Sequence, residues 1–199
     1  PAAAPSGTAA GASAGLLVDA DQLDPPVHGA AVIHDAGDVA CTDGDLEAAQ
    51  AQLAGRVTAL LDRGIRPVVL GGGHEVAYGS FLGLADHLRD GFPAKRLLVI
   101  NLDAHFDLRR ASRPNSGTPF RQIAELCEAR GAEFRYLCFG ISALANTTAL
   151  FERARRLGVE YWLDEQMRAG NMPALLDALA QHLDAADAIY LSIDLDVLP

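Results

Sequence analysis

This chain predicts a three-layer α-β-α fold built on a mainly parallel sheet, and three observations carry that prediction. From Gly29 onward, short apolar runs alternate with amphipathic segments of helical period. The runs RLLVINLD (96–103) and FRYLCFGI (134–141) are nearly continuous in apolar residues, as strands covered on both faces must be. Acids and histidines gather where three of the runs end, and open parallel sheets carry their sites beyond the carboxyl ends of strands.

The elements follow in order. PAAAPSGTAAGASAG at the start is rich in Ala, Gly, Ser and Pro and has no periodicity, so residues 1–28 are expected to be flexible or irregular and 29–199 to form one α/β domain. The opening also lacks the charged start and apolar middle of a secretion signal. AAVIHD (30–35) predicts a short strand. Thr42 or Asp43 is expected to cap a helix running to Arg63, with Leu46, Ala49, Leu53, Val57, Leu60 and Leu61 at apolar positions, and Gly64 closes it. Pro67 opens the strand PVVL, which runs into Gly71. Then come a helix over 75–88, the strand 96–103, and a long loop over 104–119 marked by Pro114, Gly117 and Pro119. A helix over 120–130, the strand 134–141, a helix over 146–157, the strand VEYWL, a helix over 173–185 and the buried strand AIYLSIDLD complete the pattern. The sequence stops just after that strand and is expected to be a truncated or partial chain. No internal repeat, heptad or domain linker is visible.

Composition narrows the function. With 199 residues and 50% hydrophobic content the chain can bury one sizeable core. Its formal net charge of −10 argues against nucleic acid and anionic membranes, which select basic surfaces. Cys41, Cys127 and Cys138 are odd in number and widely spaced, as reduced thiols of a cytoplasmic protein would be. No apolar run approaches the roughly 20 residues of a membrane helix.

The three strand ends read GGGHEVAYGS from Gly71, NLDAHFDLR from Asn101 and LSIDLDVLP from Leu191. They offer His74, Asp103, His105, Asp107, Asp194 and Asp196 as candidate metal ligands. On an extended segment residues i, i+2 and i+4 share a side, so Asp103, His105 and Asp107 can aim at one spot, as can Asp194 and Asp196. Buried acids without a cation would carry a heavy desolvation penalty. Two imidazoles and four carboxylates exceed what one ion needs, and a sulfur-free set suits hard or borderline divalent ions, Mn²⁺ above all. A pair of such ions can ionise a water at neutral pH, which points to metal-assisted hydrolysis. Gly71-Gly72-Gly73 lacks the Lys-Ser/Thr of a phosphate loop and is expected to let backbone crowd the metal site. Glu75 suits either a partner behind the ligands or a favourable acid in a helix's first turn. His28, His34, His87 and His182 lie away from strand ends and read as structural or solvated. Asn146-Thr147-Thr148 matches a glycosylation acceptor, with a helix cap the better expectation for Asn146.

At these residues the chain resembles the arginase–agmatinase–formimidoylglutamase family, the ureohydrolases. GGGHE is similar to that family's first metal motif, DAHFD to its D-A-H-x-D motif, and SIDLD to the start of its S-x-D-x-D-x-x-D-P motif; the resemblance runs from about Asp35 to Pro199. GGGHEVAYGSF, DAHFDLR, NSGTPFRQI and YLCFGIS resemble the formimidoylglutamase branch in particular. The resemblance implies an arginase-like fold and two Mn²⁺ per subunit. It has His74, Asp103, Asp107 and Asp196 each ligating, with His105 and Asp194 completing the pair. It further implies hydrolysis of the amidine of N-formimidoyl-L-glutamate to L-glutamate and formamide, a small-molecule substrate and a homo-oligomer. Arg109 falls where the family touches the substrate's amino-acid end, and its guanidinium suits a carboxylate tail. Ser116 aligns with a carboxylate-binding stretch, and Arg121 is a second cation better suited to a helix surface.

Departures from the pattern bear on the reading. Residues 108–122 hold no histidine to shuttle protons, which leaves the general acid unassigned. Val-Leu-Pro follows Asp196 where the family has x-x-Asp-Pro. Two alternatives therefore stand beside the main expectation: hydrolysis of agmatine or another guanidino compound, or a metal-binding ureohydrolase-like fragment that is catalytically incomplete.

Overall fold

The computed structural model describes residues 13–18 and 33–198. Along the chain come β1 (Ser13–Val18), β2 (Ile33–Val39), α1 (Leu46–Leu61), β3 (Arg66–Val69), α2 (Val76–Leu88) and β4 (Leu97–Leu102). They are followed by α3 (Pro119–Ala129), β5 (Arg135–Ile141), α4 (Thr148–Arg156), β6 (Glu160–Leu163), α5 (Met172–Asp184) and β7 (Ala188–Ile193). Four strands form a parallel sheet in the order β6-β5-β4-β7. The predicted fold class holds for this sheet, with helices on both faces.

Alternation along β4 builds the two sides of the core. Leu97 and Val99 face Phe81 and Ala85 of α2, Phe120 and Ile123 of α3, and Leu150 of α4. Leu98 and Ile100 face the other way, joining Leu137 and Phe139 of β5 and Leu175 of α5. Phe139 stacks on Trp162 at 4.5 Å between centroids. Each large side chain buried here contributes about 1.5–3 kcal/mol of transfer free energy.

Several expectations are corrected. PVVL does not join the parallel sheet: β3 pairs antiparallel with β1, which also pairs antiparallel with β2, in a separate sheet ordered β2-β1-β3. The β2-α1-β3 crossover still leaves β2 and β3 parallel to each other, with β1 inserted between them. Thus residues 13–18, inside the stretch expected to be irregular, form a strand, while the remainder of 1–32 lies outside the described residues. The strand expected at 30–35 is found at Ile33–Val39. Asp45, not Thr42 or Asp43, caps α1, its carboxylate accepting from Ala48 N at 3.0 Å. Gly64 closes that helix as expected, at φ +77°. AIYLSI is buried on one face alone: Tyr190 packs on Phe81 of α2, whereas Ile189, Leu191 and Ile193 are exposed. The α5 layer reaches β4 and β5 but does not cover the outer side of β7.

Helix α2, which begins just after His74, is held by α1 at very short range. A Cβ at Gly83 would lie 2.6 Å from Ala54 O and 2.6 Å from Val57 Cβ, so only glycine allows this approach. Gly83→Val should overpack the α1–α2 contact and cost about 1–3 kcal/mol. A lowered urea midpoint at unchanged slope is the expected result, and an unchanged midpoint would show that the helices are free to separate.

Candidate metal centre

Parallel register decides which acids meet. Leu102 of β4 is level with Phe139 of β5 and Ile193 of β7. The ladder continues one residue further: Asp103 N donates to Phe139 O at 3.0 Å and Asp194 N donates to Leu102 O at 2.8 Å. Asp103 and Asp194 therefore leave neighbouring strands at the same height. The chain then turns tightly. His105 N donates to Asp103 Oδ1 at 2.7 Å, and Asp107 adopts φ +49°, a left-handed conformation that Asp tolerates better than most residues.

Two groups of candidate ligands result, and they share one carboxylate. In the first, His74 Nδ1 lies 3.0 Å from Asp103 Oδ2, 2.8 Å from Asp107 Oδ2 and 3.4 Å from Asp194 Oδ2. In the second, His105 Nδ1 lies 2.8 Å from Asp196 Oδ2 and 3.5 Å from Asp103 Oδ1. Asp103, fully buried, turns one oxygen to each group. All six residues singled out in the sequence as ligand candidates thus meet at one end of the sheet.

The chemistry of this set fits a pair of divalent ions. His74 Nδ1 is buried, ringed by three carboxylates, and yet makes no directed hydrogen bond. Such an orphaned donor-acceptor atom among acids is what a ligand nitrogen looks like around an ion. The ring's other nitrogen is satisfied by Ser192 Oγ at 2.8 Å, and Phe120 packs edge-on against the ring at 5.3 Å, so its orientation is fixed on three sides. Burial disfavours the charged imidazole, but Asp103 and Asp107 outweigh burial and push its pKa up to about 10. Burial lifts Asp107 to about 6 against the pull of His74.

Residues without a sequence signal hold these groups. Asn101 Nδ2 donates to Asp103 Oδ2 at 2.9 Å and to Tyr136 OH at 3.1 Å, and Tyr136 OH in turn donates to Phe106 O at 3.3 Å. Asp196 Oδ1 accepts from Ala104 N at 3.1 Å. Asn101, Tyr136 and Ser192 occupy the same side of adjacent strands. A period-two reading of each strand puts them on the ligand face, which is the one signal that could have found them.

Other expectations fare differently. Around the glycines after β3, a Cβ at Gly71 would strike Val76 Cγ2 at 2.5 Å, one at Gly73 would strike the Glu75 carboxylate, and one at Gly72 would meet open space. Glu75 occupies the N-cap position of α2, without a side-chain cap bond, and its carboxylate lies against Gly73. Asn146 is not a helix cap, since Thr147 has that position. Arg109 and Ser116 are exposed on the loop after Asp107, and among the described residues neither side chain makes a hydrogen bond or ion pair. Arg121 donates to Arg109 O at 2.9 Å and pairs with Glu125 at 2.6 Å, which commits it to the loop and its own helix. His87 pairs with Asp62 at 2.6 Å, and His182 lies 3.2 Å from Glu160. Cys41, Cys127 and Cys138 are free. No helix among the described residues is long and apolar enough to cross a membrane.

Comparison with known proteins gives this arrangement a lineage. The Arginase family model matches residues 6–199, and the chain belongs to that family. It is 56% identical over 167 residues to the formimidoylglutamase of Chromobacterium violaceum, a match covering 84% of this chain and 53% of that one. It is 53% identical over 174 residues to the formimidoylglutamase of Cupriavidus pinatubonensis, covering 87% and 55%. The chain spans about half the length of the curated relatives it matches. Among solved structures, a Trypanosoma cruzi formiminoglutamase variant with Mn²⁺ superposes with a TM-score of 0.64 at 28% identity, covering 82% of this chain and 52% of that one. A Bacillus subtilis formimidoylglutamase superposes with a TM-score of 0.60 at 24% identity, over 76% of this chain and 46% of that one, a likeness of fold.

A divalent ion and a proton compete for His74 Nδ1, which gives a prediction with a definite sign. The imidazole pKa is raised from 6.5 to about 10, so its contribution to metal-free stability is complete below about 6.5 and is lost as pH rises through about 10. Asp107 is ionised above pH 7 whether folded or not and adds little slope there. Metal-free stability should therefore fall between pH 7 and 10. Mn²⁺ binding at neutral pH should expel about one proton, read by calorimetry in buffers of different ionisation enthalpy. Binding without proton release would exclude His74 as a ligand.

Proposed function

We propose that the protein containing this sequence is a binuclear manganese hydrolase that cleaves the amidine of N-formimidoyl-L-glutamate to L-glutamate and formamide. The single observation that carries this reading is the Asp103 carboxylate shared between the His74 and His105 groups. The two groups, with Asp103 common to both, would suit a pair of divalent ions, and identity above 50% to formimidoylglutamases supports an amidine as the substrate. His74, Asp103, Asp107 and Asp194 would hold one ion; His105, Asp103 and Asp196 would hold the other. When bound, such a pair supplies Lewis acidity and an ionised water at neutral pH.

The chain's own residues account for what surrounds that chemistry. Ser192 and Phe120 fix the plane of His74, and Asn101 holds the Asp103 carboxylate so that each oxygen faces its own group. Arg109 lies two residues past Asp107 and is exposed, and its guanidinium suits a substrate tail that ends in carboxylates. A cationic tail such as that of agmatine would be repelled by Arg109, which favours the glutamate-tailed substrate over guanidino amines. Ser116, on the same loop, is assigned a supporting hydrogen bond to that tail. We place the protein in the cytoplasm, as a homo-oligomer acting on a small molecule.

The test is hydrolysis by the intact protein loaded with Mn²⁺, with N-formimidoyl-L-glutamate, agmatine and arginine compared and formamide or urea as readout. Formamide from the first alone is expected; urea from either of the others would replace this reading with an amidinohydrolase. Arg109→Asp should lower kcat/KM for N-formimidoyl-L-glutamate roughly 10- to 100-fold, the loss of a charge-assisted pair worth about 1.5–3 kcal/mol. The change should appear chiefly in KM. Unchanged kinetics would remove Arg109 from the substrate site.

A further inference from the structure

We infer that Asn146 is the positioning residue for His105, holding the backbone on both sides of that imidazole; the inference rests on the metal-pair reading proposed above. Asn146 lies between β5 and α4 and is 7% exposed. Its amide makes three hydrogen bonds. Nδ2 donates to Ala104 O at 2.8 Å and to Ser142 O at 2.9 Å, and Oδ1 accepts from Phe106 N at 3.1 Å. The carbonyl of residue 104 and the N–H of residue 106 form the edge that a neighbouring strand would satisfy, and here one side-chain amide bonds both, with Ser142 N also donating to the Ala104 carbonyl at 3.0 Å. The residue between them is His105.

This matters because His105 is held differently from His74. The His74 ring is buried against Phe120 and tied by Ser192. The His105 side chain is 31% exposed, and its polar contacts among the described residues are the acids of its own group. Among the described residues no hydroxyl or carbonyl fixes its far nitrogen, the usual means of orienting a ligating imidazole. Its position is instead set through the backbone, by Asn146 from one side and by the Asp103 carboxylate on His105 N from the other. The pattern also fixes the amide's orientation: exchanging N and O would set a donor against Phe106 N–H and an acceptor against two carbonyls. With all its hydrogen bonds internal, the Asn146 amide is closed to the glycosylation that the Asn-Thr-Thr spelling suggests.

The experiment is Mn²⁺ titration of the intact protein and of Asn146→Ala, Asn146→Asp, His105→Ala and the Asn146→Ala/His105→Ala pair. Melting of each metal-free form and amide hydrogen exchange at Phe106 are followed in parallel. Wild type should take two Mn²⁺. Each Asn146 variant should weaken one of the two by about 10- to 100-fold and leave the other unchanged. The double variant should bind no more weakly than His105→Ala alone, because both changes act on the same group. Equal weakening of both ions, additive loss in the double variant, or unaltered affinities would each overturn the inference. If a variant does not fold, fast exchange of the Phe106 amide in the metal-free wild type would overturn it directly, and slow exchange is the expected result. Wild type that binds no Mn²⁺ would instead defeat the metal-pair reading, and this inference with it.

Discussion

A carboxylate with no access to water has to be compensated, and Asp103 at the end of β4 is such a carboxylate. Its compensation sets the terms for everything around it. Ion removal from water into a protein interior costs several kcal/mol even after relaxation. Asp103 meets this cost with one hydrogen-bond donor at each oxygen, Asn101 Nδ2 at Oδ2 and the backbone N–H of His105 at Oδ1, and with the imidazoles of His74 and His105 lying 3.0 and 3.5 Å away. Three further acids are then drawn to the same place by register and by a tight turn, and two imidazoles do not balance four carboxylates. The raised pKa of His74 follows from that imbalance, because the carboxylates of Asp103 and Asp107 favour positive charge at the imidazole against its burial.

The sheet and helices can be understood as the frame for this end. β4 sits between β5 and β7, so at its terminus ladder bonds from both sides fix the height of a side chain. The ligand side of the sheet is closed by α2 and α3, which bring His74 and Phe120 against the strand ends. The close α1–α2 contact at Gly83 fixes α2, and the start of α2 fixes His74. The opposite side, with Leu98, Ile100, Leu137, Phe139 and Leu175, has no polar task and serves as filling. Function occupies one face and one end, and stability is supplied by the remainder.

The sequence made one layer of this legible and concealed the next. Asp103, His105 and Asp107 could be grouped because alternation on an extended segment is a local property, and His74, Asp194 and Asp196 because each follows an apolar run. Apolar periodicity likewise found every helix, to within a few residues. What stayed hidden depends on distant partners. Asn101 reads as a polar interruption in a strand until Tyr136 lies beside it. Ser192 reads as a strand residue until His74 reaches it, and Asn146 reads as a cap or a glycan acceptor until the loop at 104–106 is packed on it. The neighbours of Gly71 and Gly73 were hidden for the same reason, since the side chains of Val76 and Glu75 reach them only once α2 is formed. The place of β3 was hidden too, because an inserted antiparallel β1 leaves no mark on the PVVL run itself.

The arginines around the loop after Asp107 extend this division of labour to specificity. Three of them approach the same few residues, and two are already committed to backbone: Arg153 donates to Leu108 O, and Arg121 donates to Arg109 O while pairing with Glu125. Their like charges crowd one another, and Arg153, chiefly through burial and then through Arg110, Arg156 and Arg121, has its pKa lowered. Cations are not gathered at such a cost to hold two carbonyls alone, for which neutral amides would serve, as Asn146 does nearby. Under the proposed function the cluster has a second use. In a chain of net charge −10, it gives the loop beside the ligand groups a local positive field, and among the described residues it leaves exposed guanidinium groups, Arg109 and Arg110 among them, to meet a carboxylate. On that proposal, the same loop that carries Asp107 into the candidate metal centre would also carry the charge that favours an anionic substrate tail, so one short segment would serve both the geometry of the chemistry and the choice of substrate.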